Sequence, residues 1–152
     1  MAEGFVFNDG GRAEAGYKGK AGDCVCRAIA IATGKPYKEV YTELSELLKK
    51  SKLKYNTPRD GLHREIYQPY LESLGWKWIP TMMFGKGCTV HLQADELPKG
   101  RIVCRLSKHL TAVVDGVIHD TYDPRNNGIE YIDGIKHILP QRCVYGYFIK
   151  KY

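Results

Sequence analysis

Gly22-Asp23-Cys24-Val25-Cys26-Arg27-Ala28-Ile29-Ala30-Ile31-Ala32-Thr33-Gly34 is the stretch that decides the fold. Isoleucine and alanine alternate through it without a polar face, which reads as a helix of about ten residues buried nearly all round. Asp23 is a good N-cap, and Gly34 is a good residue to follow the last turn. Cys24 then falls in the first turn, where unpaired backbone N–H groups and the positive end of the helix dipole favour a thiolate. A cysteine so placed is a candidate nucleophile. Taken alone it reads more readily as a small buried hydrophobe, so a base elsewhere in the chain has to decide.

Upstream, Phe5-Val6-Phe7 is followed by a turn at Asn8-Asp9-Gly10-Gly11. Gly16, Gly19 and Gly22, with Lys18 and Lys20, match the spacing of neither a P-loop nor a dinucleotide fingerprint. They read as a loop packed beside a site. Downstream, Pro36 opens an amphipathic helix running to about Lys50, with Val40, Leu44, Leu47 and Leu48 on one face. A polar connector, Ser51 to Gly61, leads to a third helical pattern from about Leu62 to Leu74, with Ile66, Tyr70, Leu71 and Leu74 on a face. Pro69 is expected to kink that helix or restart it, and Gly75 to end it.

From Trp76 the period changes to alternation, Met82 to Gly87 reads as a loop, and Arg101 to Leu106 as a strand. Leu110 to Val114 and Val117 to Tyr122 flank Asp115-Gly116, a strong two-residue hairpin signal. Short strands are expected near Ile129 to Ile132 and from Val144 to Ile149. Helices first and mostly antiparallel strands later give an α+β fold in a single domain over 1–152.

The totals fit a globular chain: 152 residues, 43% hydrophobic and 26% charged. No run approaches a membrane span and no secretory signal opens the chain, so a cytoplasmic protein without a membrane partner is expected. The five cysteines then read as free thiols, with Cys88, Cys104 and Cys143 as core or strand fillers. Cys24-Val25-Cys26 lacks the spacer of a zinc site, and neither metal nor cofactor is called for. The formal charge of +6 admits nucleic acid as a partner. The only basic cluster, Lys49-Lys50-Ser51-Lys52 with Lys54, has the look of a solvated helix end rather than a recognition motif. Tyr55, Tyr67, Tyr70, Trp76 and Trp78 read as core before they read as a groove.

Hairpin geometry supplies the base. With Asp115-Gly116 as the turn, Val114 pairs with Val117, Thr111 faces Asp120 and His109 faces Tyr122, so His109, Thr111, Ile118, Asp120 and Tyr122 share a face. His109 and Asp120 become diagonal neighbours, an arrangement that fixes an imidazole tautomer and stabilises its protonated form. Asp123 points to the other face by this count. His63, His91, His119 and His137 have no comparable partner.

A Gly-Asp-Cys opening a buried helix, further helices, and then a His strand returning to Asp resembles the papain-like cysteine peptidases. Ala21-Gly22-Asp23-Cys24-Val25-Cys26-Arg27-Ala28 is similar to a run in the ovarian-tumour-type deubiquitinases. The layout of about residues 20–125 also resembles the bacteriocin-processing leader peptidases. Ser107 to Gly116 and Asp120 to Pro124 look like segments of small bacteriophage proteins of this superfamily. The resemblance implies the nucleophile helix packed on a C-terminal antiparallel sheet, Cys24 as nucleophile, His109 as general base and Asp120 as orienting acid. Asp123, in an Asp-Pro pair like that of the leader peptidases, is the alternative acid. Residues 10–23 contain no Gln to serve as the family's oxyanion donor, leaving Asp23 and the backbone of Cys24 for that role. The expected function is a cysteine-dependent hydrolase of peptide, isopeptide or amide bonds, phage-encoded and acting on a peptide or a host protein. An acyltransferase or transglutaminase-like enzyme, and a non-catalytic binding module inhibiting a host system, are the alternatives on the same scaffold.

Overall fold

In the computed structural model, which describes residues 4–18, 22–51, 62–83, 85–125, 129–138 and 141–150, the apolar run after Asp23 forms helix α1 (Cys24–Thr33). Every residue from Val25 to Ala32 is buried. Gly34 closes the helix in the left-handed conformation, φ 77°, with its N–H donating to the Ala30 carbonyl; lacking Cβ, it adopts that conformation without strain. Helix α2 (Tyr37–Lys50) buries Val40, Leu44 and Leu48, while Leu47 stays exposed at the edge of the stripe. Helix α3 (Arg64–Ser73) buries Ile66, Tyr67, Tyr70 and Leu71. It runs through Pro69 as one element rather than restarting. Pro69 and Glu65, whose carbonyl loses its i+4 donor, both lie on the exposed side. The connector at 52–61, with Lys52, Lys54 and Tyr55, lies outside the described residues, as do Gly19 and Lys20.

The sheet has six strands in the order β1 (Phe5–Phe7), β7 (Val117–Asp120), β6 (His109–Val114), β5 (Arg101–Leu106), β10 (Gly146–Lys150) and β2 (Trp76–Pro80). The pairings are antiparallel except β1 with β7, which run parallel with Phe7 opposite Asp120. The fold is therefore α+β, and the sheet is mostly antiparallel as expected, the β1–β7 pairing being its one parallel member among the described residues. The N-terminal Phe5-Val6-Phe7 is an edge strand recruited to the hairpin, and its three residues are too few to signal a strand by alternation. The last strand in sequence is interior in space, between β5 and β2. Two small hairpins stand apart: β3 (Met82–Met83) with β4 (Gly87–Cys88), where a loop was expected, and β8 (Ile129–Ile132) with β9 (Ile135–Ile138).

Pleating splits the interior into two cores. Val103, Leu110, Ala112 and Phe148 meet the three helices, while Ile102, Cys104, Leu106, Val113 and Ile118 meet Leu92, Leu97 and Val144 behind the sheet. Burial on both faces explains the unbroken apolar run Ile102-Val103-Cys104 in β5. Helix α1 lies against β6 and β5. Its alanines let it approach the sheet closely, and Ile29, fully buried, contributes about 1.5–3 kcal/mol.

The cysteines divide differently from expectation. Cys104 is a core residue and Cys26 is buried, but Cys88 and Cys143 form a disulfide with a Cα–Cα distance of 5.9 Å. The reason is topological. Cys143 sits beside β10, whose preceding residues pass the β3–β4 hairpin, so two surface side chains distant in sequence become neighbours. Among the described residues no helix is long and apolar enough to cross a membrane.

Candidate active site

Cys24 opens α1, and the first residue of β6, His109, faces it. The Asp115-Gly116 turn has φ 49° and 81°, both positive as a type I′ turn requires, and it sets the register Val114 with Val117 and Ala112 with His119. One residue on, that register puts Thr111 level with Asp120. The Asp120 carboxylate accepts from Thr111 Oγ1 at 2.8 Å and pairs with His109 Nε2 at 2.7 Å through the same oxygen. Strand β7 ends at Asp120 rather than at Tyr122. Tyr122 still lies against the His109 ring, with centroids 5.3 Å apart and its hydroxyl 3.4 Å from Nδ1.

Asp123 does not take part. Its two carboxylate oxygens hold the Arg125 guanidinium at 2.8–3.2 Å, which keeps its pKa below the usual range. The Asp23 side chain is also committed elsewhere. It is buried and bonded to Arg27 and Tyr37, with Arg12 Nε 3.1 Å away. A carboxylate has no proton to donate, so any oxyanion donor at this corner is backbone N–H. Of the other histidines, His91 does have a carboxylate partner, Glu96 at 3.2 Å, and His119 pairs with Asn8.

The electrostatics favour a charged pair. Burial pushes the Cys24 thiol up, but a hydrogen bond with His109, the Leu110 backbone N–H, and the charges of His109 and Arg27 outweigh it and leave the pKa below the ordinary thiol value. Burial likewise pulls His109 down, yet Asp120 and Cys24 together raise it to about 9. With Nε2 engaged by Asp120, Nδ1 is the nitrogen left for the thiol. By contrast, burial alone puts Cys104 well above the ordinary range, and burial with the Asp23 charge raises Cys26 to about 12. Of the three free thiols only that of Cys24 is lowered rather than raised.

Residues missed in the sequence complete the site. Arg27 is buried and spans from Asp23 to Asp120, with its terminal nitrogen 3.7 Å from the second carboxylate. The signal was present: a lone charge in an otherwise apolar helix must find partners, and Asp23 sits four residues before it. Arg12 and Tyr37 enter only through tertiary contacts, whereas the hairpin count already sets Thr111 opposite Asp120. A cleft of about 710 Å³ opens over Cys24 and His109, walled by Val25, Leu62, Arg64, Tyr67, Arg105, Leu106, Lys108 and Tyr122. Tyr67 therefore belongs both to the helical core and to the cleft, whereas Tyr70 and Trp76 belong to the core and not to this cleft.

Comparison of the chain with protein-family models, with curated proteins and with solved structures finds no match.

Proposed function

We propose that the chain is a papain-like, cysteine-dependent hydrolase acting on an amide, peptide or isopeptide bond. The observation that carries this reading is that Cys24 at the start of α1 and His109 at the start of β6 line one open cleft, with Asp120 holding His109 Nε2 at 2.7 Å. The Cys24 thiolate attacks the substrate carbonyl carbon and the carbonyl electron pair moves to oxygen. The Cys24 N–H at the helix start, which donates to no backbone carbonyl among the described residues, is the available donor for that oxyanion. The His109 imidazolium gives its proton to the leaving nitrogen as the C–N bond breaks, leaving a thioester and neutral imidazole. Water, deprotonated by His109, then attacks the thioester. The acid product leaves and the thiolate–imidazolium pair is restored. Asp120 keeps Nε2–H oriented throughout.

The test is alkylation by iodoacetamide followed peptide by peptide. Cys24 is expected to react at near-neutral pH while Cys26 and Cys104 stay unmodified, and His109→Ala is expected to slow it to the rate of an ordinary thiol. Cys24 reacting no faster than the other two would sink the reading. Adding a primary amine during turnover separates hydrolysis, which releases a free acid, from transfer, which releases an amide.

A further inference from the structure

We infer that the cleft selects an acidic segment of its polypeptide substrate, bound beside the scissile bond through Arg105, Lys108 and Arg64. This rests on the reading of Cys24 as the nucleophile. Among the described residues that line the cleft there is no Asp or Glu, while three Arg and Lys side chains besides Arg27 face it, in addition to His109. Arg27 is neutralised by Asp23 and Asp120, but these three are not. Arg64 donates to the neutral amide of Gln68 and stacks over Trp78, 4.6 Å from the ring centroid, so its plane is fixed and its charge stays available. Arg105, half-buried in β5, and Lys108, exposed on the β5–β6 turn, have no carboxylate partner among the described residues. Among the described residues, Asp23 and Asp120 order Arg27 and no carboxylate stands on the cleft wall.

A half-buried guanidinium without a counter-ion is costly unless a ligand supplies one. Arg105 and Lys108 lie on the strand and turn that lead directly into His109, so a carboxylate held there belongs to residues adjoining the bond under attack. The same field disfavours a basic segment. A phosphodiester backbone would meet the same cations, but it offers Cys24 no carbonyl, and so an acidic polypeptide is the occupant that uses the whole cleft.

The experiment is protection of Cys24 from iodoacetamide by end-blocked octapeptides with a central Gly-Gly flanked by Glu, by Gln or by Lys, together with a single-stranded oligonucleotide of matched charge. Protection is normalised to each protein's own unprotected rate. The Glu peptide is expected to protect at least about tenfold better than the Lys peptide, with most of that difference lost in Arg105→Gln/Lys108→Gln and part of it in Lys108→Gln alone. Equal protection by the Glu and Lys peptides, a preference that survives the double variant, or stronger protection by the oligonucleotide would each overturn the inference. A Cys24 that is unreactive without any peptide overturns the nucleophile reading instead, and the two failures are read from different columns of the same experiment.

Discussion

Asp120→Asn removes one charge and almost no volume, which makes it the sharpest probe of the relay. In the native chain the carboxylate accepts from Thr111 and holds His109 at 2.7 Å. Burial alone would lower the imidazole, yet Asp120 and Cys24 carry it from 6.5 to about 9. At about 1.4 kcal/mol for each factor of ten, that is about 3 kcal/mol of preference for the imidazolium, a ceiling of a few hundredfold. Asp120 is the first of the two partners that raise it, so the expected loss in Cys24 alkylation rate at pH 6.5 is between about tenfold and a hundredfold. Global stability is the wrong readout. A raised His109 contributes stability that is present below about 6.5 and lost as pH rises through about 9. A lowered Cys24 contributes stability that is present above the ordinary thiol value of 9.0 and lost as pH falls. Between 6.5 and 9 the two slopes oppose, because the thiol gives up the proton that the imidazole takes. The ring itself must be watched, by NMR titration of the His109 imidazole assigned with His109→Gln. The native midpoint is expected near 9, and in Asp120→Asn it should fall well toward 6.5. A native ring titrating near 6.5, or a variant with midpoint and alkylation rate unchanged, would refute the reasoning.

Asp123→Asn should leave both the His109 midpoint and the Cys24 alkylation rate as they are, because that carboxylate serves Arg125; a downward shift comparable to that of Asp120→Asn would reassign the acid. Thiol titration of the unfolded, unreduced protein should count three free cysteines, Cys24, Cys26 and Cys104. Cys143→Ser should lower the unfolding free energy by about 2–4 kcal/mol in urea, since the bridge closes a loop of 55 residues. Arg27→Met takes from the buried Asp23 one of its two cations, Arg12 remaining at 3.1 Å, and should cost up to about 3–5 kcal/mol. In Asp23→Asn/Arg27→Met the cost should shrink as the stranded charge disappears, which urea denaturation of the single and double variants measures.

The residues that act through neighbours along the chain were legible. The Ile-Ala alternation after Asp23 has one helical outcome, and Asp115-Gly116 fixes a two-residue turn whose register alone brings His109 and Asp120 within reach. Asp133-Gly134, with positive φ at both residues, carries the same signal for β8 and β9; only the first of the two strands was expected, and not on account of this turn. Length was the obstacle elsewhere: Phe5–Phe7, Met82–Met83 and Gly87–Cys88 are too short to show a period, and they are strands only because a partner lies alongside.

What the sequence determined by itself is a thiol at the start of a buried helix and an imidazole–carboxylate pair on a hairpin, because periodicity and turn chemistry are local. Their meeting, the Arg27 bridge, the Cys88–Cys143 bond and the cationic wall of the cleft are decided by tertiary structure. Each joins groups far apart in the chain, and only packing α1 against β6 and β5 sets how near they come.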